Sequence, residues 1–183
     1  TNKMRGLMNG RIRGELVREG SLSEVGFSQP TYRDAGMSNH DKMTSRLYQP
    51  GQTLYFFAKV GKFKAGDTLT ISALNHKRNV LEGTDRDGKP VKMDIKRNLG
   101  GRSDVPFGVY QRTTTEFAVG ELVLFNKTDK TRGIKTNDEY RITGFDDKAV
   151  HVQARDGSDR SLSLPRSDPQ LEFMTYAYAV TAD

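Results

Sequence analysis

Two stretches collect the side chains best able to act on a ligand. Lys59, Lys62 and Lys64 surround Phe63 in one, and Lys127, Lys130, Arg132 and Lys135 crowd the other. Lysine and arginine neutralise phosphates, and an aromatic ring among them can stack on a nucleobase for ~1–3 kcal/mol. The same pattern also suits a Phe63 that plugs a small core beneath solvated lysines, and the sequence leaves both readings open. Other chemistry has little to work with. The chain has no Cys, which excludes disulfides and thiolate metal sites, and His40, His76 and His151 are too scattered to suggest a metal cluster. Gly61-Lys62 is followed by Phe63 and lacks the upstream glycine of a phosphate loop. Asp146-Asp147 sits where a strand turn is expected, and no Ser or Thr has a His at recognisable motif spacing. The expectation is a binding chain without catalysis and without a cofactor or metal of its own.

Charge sharpens that expectation. The net +6 of the 183-residue chain is concentrated in residues 45–100, where eleven Lys and Arg face five Asp and Glu. Residues 101–166 carry eleven against ten, and residues 167–183 carry three acidic groups and no basic one. A basic excess confined to one module is the footprint of a polyanion-binding surface. Arg78, Lys89, Lys92, Lys96 and Arg97 add to it, while Lys77-Arg78 reads as a solvated hairpin tip. No apolar run approaches membrane-spanning length and no signal-peptide pattern opens the chain, so the expected location is the cytoplasm, without membrane insertion.

The two loops occupy equivalent places in an internal repeat, and the repeat must position them. Pro50-Gly51-Gln52-Thr53-Leu54-Tyr55-Phe56 is answered by Val119-Gly120-Glu121-Leu122-Val123-Leu124-Phe125. Asp67-Thr68-Leu69-Thr70-Ile71 lines up with Asp138-Glu139-Tyr140-Arg141-Ile142, Asp87-Gly88 with Asp156-Gly157, and Val91, Met93, Ile95 with Arg160, Leu162, Leu164. Such a period marks a duplicated structural unit. Alternating apolar residues predict strands at 53–58, 67–74, 79–84 and 90–95, then at 121–126, 138–144, 149–154 and 160–164, with a hairpin at each Asp-Gly. Long loops at 59–66 and 127–137 join the first two strands of each set. Short antiparallel strands with one long first loop predict a small SH3-like barrel in each repeat. Tyr55, Phe56 and Phe57 succeed one another on a strand, so at least one points away from the core, and Tyr55 or Phe57 is the expected one.

Around the repeats, Met4, Met8, Ile12 and Leu16 recur every fourth residue and predict a helix to about Arg18, ended by Gly20. Residues 21–37 read as a polar surface connection. Ser38 with Asp41 resembles a capping box opening a short helix to about Leu47. Gly100-Gly101 reads as a flexible joint, with Val105, Phe107 and Val109 alternating as a strand that enters the second repeat. The apolar run from Phe173 onward predicts that the chain is a piece of a longer protein. The fold class expected is mainly β with an N-terminal helix (α+β).

The flanks also carry a resemblance. Arg5-Gly6-Leu7-Met8-Asn9-Gly10-Arg11-Ile12-Arg13-Gly14-Glu15-Leu16 resembles the R-x-x-L-N-x-x-I-R-x-x-L motif of RecD-like superfamily 1 helicases, and Tyr176-Ala177-Tyr178-Ala179-Val180-Thr181 resembles the lead-in to their next motif. In conjugative relaxase–helicases of the TraI type, the interval between these motifs holds two SH3-like inserts, so the resemblance covers nearly the whole chain. It implies that residues 1–47 and 167–183 belong to the RecA-like second motor domain (2A). It also implies that residues 48–100 form one insert (2B) and residues 101–166 a 2B-like insert. It further implies a parent that uses ATP and Mg, with Arg5 near the nucleotide phosphates. The implied partners are the rest of the helicase motor, single-stranded DNA and the type IV secretion coupling protein, which would read this region as a translocation signal in a bacterial cell carrying a conjugative plasmid. The family usually has His where this chain has Asp183, and its helix is rarely so rich in Gly; both departures fit a vestigial motor copy.

Overall fold

The computed structural model describes residues 2–23 and 25–178, apart from the side chains of residues 2, 3, 5, 6 and 9. The Arg5 side chain and residues 179–183, which carry part of the helicase resemblance, lie outside the described residues. The fold is mainly β, with two antiparallel sheets. Contacts divide the chain into a first unit, Tyr32–Thr113, and a second made of Thr1–Thr31 with Thr114–Asp183. Among the described residues no helix is long and apolar enough to cross a membrane.

In the first unit, β2 (Gln52–Phe56), β3 (Thr68–Asn75), β4 (Val80–Thr84) and β5 (Pro90–Asp94) form a meander, and a short helix α2 (Ile95–Leu99) leads into β6 (Phe107–Ala118). β6 returns to pair with β2, placing Phe56 opposite Phe107 and Leu54 opposite Val109. The second unit repeats the plan. β7 (Leu122–Phe125), β8 (Glu139–Phe145), β9 (Ala149–Ala154) and β10 (Ser161–Pro165) form the meander, a 3-10 turn (Pro169–Phe173) comes next, and β11 (Met174–Tyr176) pairs back onto β7. Each core collects the inward residues of its own meander: Leu54, Phe56, Leu69, Ile71, Leu81 and Met93 in one, Val123, Phe125, Tyr140, Ile142, Val150 and Leu164 in the other. Neither sheet closes into a barrel through the ladders described: the orders run β1-β6-β2-β3-β4-β5, with β1 at Gly26–Asp34, and β10-β9-β8-β7-β11.

The repeat extends to individual backbone bonds. Gly51 (φ 90°) donates to the Ile71 carbonyl and Gly120 (φ 93°) to that of Ile142, and each acceptor stands at a β-bulge. Only glycine adopts these positive φ values without strain. The next side chain in each unit then accepts from a backbone N–H three residues back, Gln52 from Gln49 at 2.9 Å and Glu121 from Ala118 at 2.9 Å. Past the Asp-Gly turns the equivalence differs from the one expected. Five residues separate Thr84 from its partner Pro90, whereas seven separate Gln153 from Ser161. The longer second turn shifts the match by two, so Val91 corresponds to Leu162 and Met93 to Leu164.

The flanking segments depart further from expectation. Residues 21–37 hold β1, where Phe27, Gln29 and Thr31 alternate inward. Gln29 donates to Pro30 O while its Oε1 is buried without a hydrogen-bond partner, and Thr31 bonds Thr115 at 2.6 Å; Pro30 is tolerated because β1 lies at the sheet edge. The Ser38–Asp41 capping box forms reciprocally, at 2.9 and 3.1 Å, yet it opens two 3-10 turns, Asp41–Met43 and Ser45–Leu47, in place of one helix. Gly100 caps α2 through the Lys96 carbonyl, and residues 105–113 complete the first unit. The division of the chain therefore falls inside β1 and β6 and not at Gly100-Gly101.

The helix α1 (Asn2–Arg18) is present, but Met4 and Met8 are exposed and Ile12 and Leu16 only half-buried, so the four-residue apolar stripe is covered at its C-terminal end alone. Arg13 donates to Glu121, whose side chain is fully buried. Burial pushes the Glu121 carboxyl above its ordinary value, and the Ala118 N–H and Arg13 only partly offset that. The folded state therefore holds this proton more tightly than the unfolded chain does, and this group's contribution to stability grows as pH falls from 7 toward 4.5. Glu121→Gln, which keeps the acceptor as Gln52 does, should leave stability at pH 7 within ~1 kcal/mol and remove that pH dependence. Glu121→Leu orphans the Ala118 N–H and should cost ~1–3 kcal/mol. Urea unfolding at pH 7 and pH 5 measures both.

Candidate polyanion interface

The first long loop folds around its own small hairpin. Val60 and Phe63 exchange backbone bonds at 3.0 and 2.9 Å, leaving Gly61-Lys62 as the tip, and Gly61 takes φ 57°. Both anchors are buried, and the Phe63 ring stacks on Phe56 at 4.4 Å with only 2° between the planes. Phe63 therefore fills the core, and its ring is not available to a base. Its burial has a consequence at the surface, because Lys62, directly before it, is held at the tip with Nζ 5.6 Å from the ring centre. Lys59 and Lys64 are exposed on either side.

Facing the tip is the start of α2. Asp94 caps that helix by accepting from Arg97 N at 2.8 Å, and Asn98 Nδ2 donates to Asp94 O at 2.7 Å. Asn98 comes so close to Gly61 that a Cβ there would lie 2.0 Å from its Oδ1. Between tip and helix runs an open groove of about 510 Å³ lined by Lys62, Lys92 and Arg97, with Phe63 and Val80 among its apolar wall and the capping Asp94 as its acidic residue. Lys92 pairs with Glu82 at 3.1 Å, but its side chain is 67% exposed. A pair of that kind contributes ~0–1 kcal/mol and exchanges readily for a phosphate. A second groove bordered by Lys62, about 380 Å³, is lined by Asp67, Asp85 and Asp87 beside Arg86, so acidic groups outnumber basic ones there.

The equivalent loop of the second unit is built differently. Asp129 and Ile134 exchange the two hairpin bonds, at 2.8 Å each. Arg132 does not reach outward: it donates to Asp129 at 2.7 Å and to both oxygens of Asp168, one of them at 3.2 Å. The Thr131 hydroxyl and Arg132 hold the Asp129 carboxyl down at about 2. Burial would raise Asp168, but Arg132 and the Gln170 N–H outweigh it and its pKa is also lowered. Arg160 adds a second guanidinium, donating to Arg132 O and Gly133 O at 3.1 and 3.0 Å, so two cations match the two carboxylates of this corner. Lys127 lies with Nζ 5.7 Å from the centre of the Phe173 ring, while Lys130 and Lys135 are exposed. The four cations of this loop do not form a basic cluster.

The structure thus brings together Lys62, Lys92 and Arg97, two of which lie outside the loops that composition highlights. Arg97 reaches the groove through the turn of α2, directly after the expected strand at 90–95. The carboxylate partners of Arg132 are the larger omission, since Asp168 lies 36 residues away and no local pattern announces it. The charge division follows the units: Tyr32–Thr113 holds fifteen Lys and Arg against eight Asp and Glu, the remainder fourteen against fifteen. Asp146 accepts from the N–H groups of Lys148 and Ala149 at 2.7 and 2.9 Å, so it shapes a turn. Among the described residues no three His, Cys, Asp or Glu side chains gather where they could hold a metal ion.

Compared with known protein families and with curated proteins, the chain matches no family model and no curated relative.

The core position of Phe63 is tested by its removal. Phe63→Ala should destabilise the first unit by ~3–5 kcal/mol, read as a lowered urea midpoint, whereas Lys62→Ala should shift it by under ~0.5 kcal/mol.

Proposed function

We propose that the first unit grips a polyanion, in the parent protein single-stranded DNA, and that the chain is a non-catalytic accessory part of a conjugative relaxase–helicase of the TraI type. One observation carries the reading: Lys62, Lys92 and Arg97 converge on an open groove in the unit that holds the basic excess, whereas the central arginine of the matching loop is neutralised by two aspartates. Three cations in a groove neutralise phosphates without reading sequence, so binding is sequence-tolerant and falls with salt. In this proposal both units are SH3-like modules. The matching strand orders, with the last strand returning to the first after a short helical turn, support that assignment. The modules sit within the second motor domain, whose ATP, Mg and Arg5 chemistry belongs to the parent.

The translocation signal, read by the type IV coupling protein in a plasmid-bearing cell's cytoplasm, occupies the same region, and a basic face suits an acidic receptor surface as well as a nucleic acid. The second unit favours a structural reading of its own. Its arginine braces Asp129 and Asp168, as in a purely architectural 2B-like spacer.

Affinity for a labelled single-stranded oligonucleotide, measured by anisotropy from low to moderate salt, tests the proposal. The log–log slope should be about −2, near −0.7 for each of three phosphates neutralised. Lys62→Glu with Arg97→Glu should abolish binding at moderate salt, while Lys130→Glu with Lys135→Glu should change it less than about twofold. Absence of binding by the unaltered chain at low salt refutes the reading. Transfer of a fused reporter by a Lys62→Glu, Lys64→Glu variant separates the export role: loss of DNA binding with retained transfer means distinct surfaces.

A further inference from the structure

The first unit carries aromatic side chains on the side of its sheet away from the core. Leu54 and Phe56 of β2 point into the core, so Tyr55 and the following Phe57 point the other way. Tyr55 pairs across the ladder with Gly108, and the Tyr110 ring lies over that glycine, so close that a Cβ on Gly108 would fall 2.3 Å from the Tyr110 hydroxyl oxygen. Tyr32 packs on Tyr110 at 5.3 Å between ring centres and on Tyr55 at 6.3 Å, and Tyr55 packs on Phe57 at 5.3 Å. Tyr55 and Tyr110 are buried within this group, but Phe57 stays 43% exposed at its end. A core does not need a ring in that position. Phe57 presents a large apolar surface to water, held in place from behind by Tyr55.

Phe57 also opens the basic loop. Lys59 comes two residues later, and Lys62 lies within about 18 Å by chain reach alone. An aromatic surface beside cations fits a ligand that is both flat-ringed and polyanionic. A duplex hides its base faces in the stack, whereas a single strand offers them. We propose that Phe57, braced by Tyr55, is a base-stacking position for single-stranded nucleic acid whose phosphates the groove of Lys62, Lys92 and Arg97 holds. The inference rests on the polyanion reading and deepens it: the groove supplies charge, and Phe57 distinguishes a nucleic acid from any other polyanion.

The test compares two ligands of the full chain, a short oligothymidylate and inorganic polyphosphate of similar charge, with variants checked for unchanged thermal unfolding. Phe57→Ala should weaken oligothymidylate binding about tenfold and leave polyphosphate binding and the salt slope unchanged. Phe57→Tyr, which keeps a ring, should bind oligothymidylate as the unaltered chain does, and Phe57→Leu, apolar without a ring, should bind like Phe57→Ala. Equal losses for both ligands, no loss for either, or full binding by Phe57→Leu overturn the stacking role while the groove stands. If the unaltered chain binds neither ligand, the polyanion reading fails and the stacking role with it.

Discussion

The bond from a left-handed glycine to a bulged strand is the constraint on which each unit depends. Gly51 and Gly120 turn the chain into the first strand of their meanders, and each donates to the isoleucine carbonyl at the bulge of the next strand. A bulge bends its strand and strengthens the local twist. In each unit a strand of four or five residues then meets partners on both edges while its alternate side chains point into one small core. With the corner set, the first strand ends at Phe56 or Phe125, and the long loop must leave from there. The loop, its tip and the short helix before the last strand then occupy equivalent places in the two units.

Duplicated frames make the differences between them informative. The first unit places a two-residue tip between buried Val60 and Phe63, so Lys62 is presented outward and opposes the start of α2. The second unit has a longer tip and an arginine within it, and Asp168 at the head of the 3-10 turn draws that arginine inward. One frame thus yields an open basic groove and the other a closed ion-pair brace. Exposed pairs such as Lys92–Glu82 contribute little and yield to a ligand, whereas a bidentate, mostly buried Arg132–Asp168 contact does not.

Much of this was legible in the sequence, because period-two alternation with Asp-Gly turns reports strands directly. The eight meander strands lie within two residues of their expected bounds. The elements that escaped have physical reasons. β1 hides among polar residues because two of its three inward positions, Gln29 and Thr31, are polar, so no apolar alternation marks the strand. The two-residue shift after the second hairpin is invisible without cross-strand pairing, since both turns contain Asp-Gly. The density of lysines in the first loop marks Lys62, which the structure sets on one groove with Lys92 and Arg97. In the second loop Lys130 and Lys135 are exposed, and nothing in the local sequence announces that Arg132 pairs with an aspartate 36 residues away. Phe63 was ambiguous because one residue cannot reveal which way a loop closes, and the ring it meets, Phe56, belongs to another element.

The central claim, that one copy of a duplicated frame binds a polyanion and the other braces itself, is most directly tested by an amide chemical-shift map. Nitrogen-15-labelled chain would be titrated at low salt with a short single-stranded oligonucleotide. The account predicts shifts that saturate at Gly61, Lys62, Lys92, Arg97 and Asn98, with residues 127–135 unmoved. Shifts concentrated on 127–135, or none at all at low salt, would contradict it.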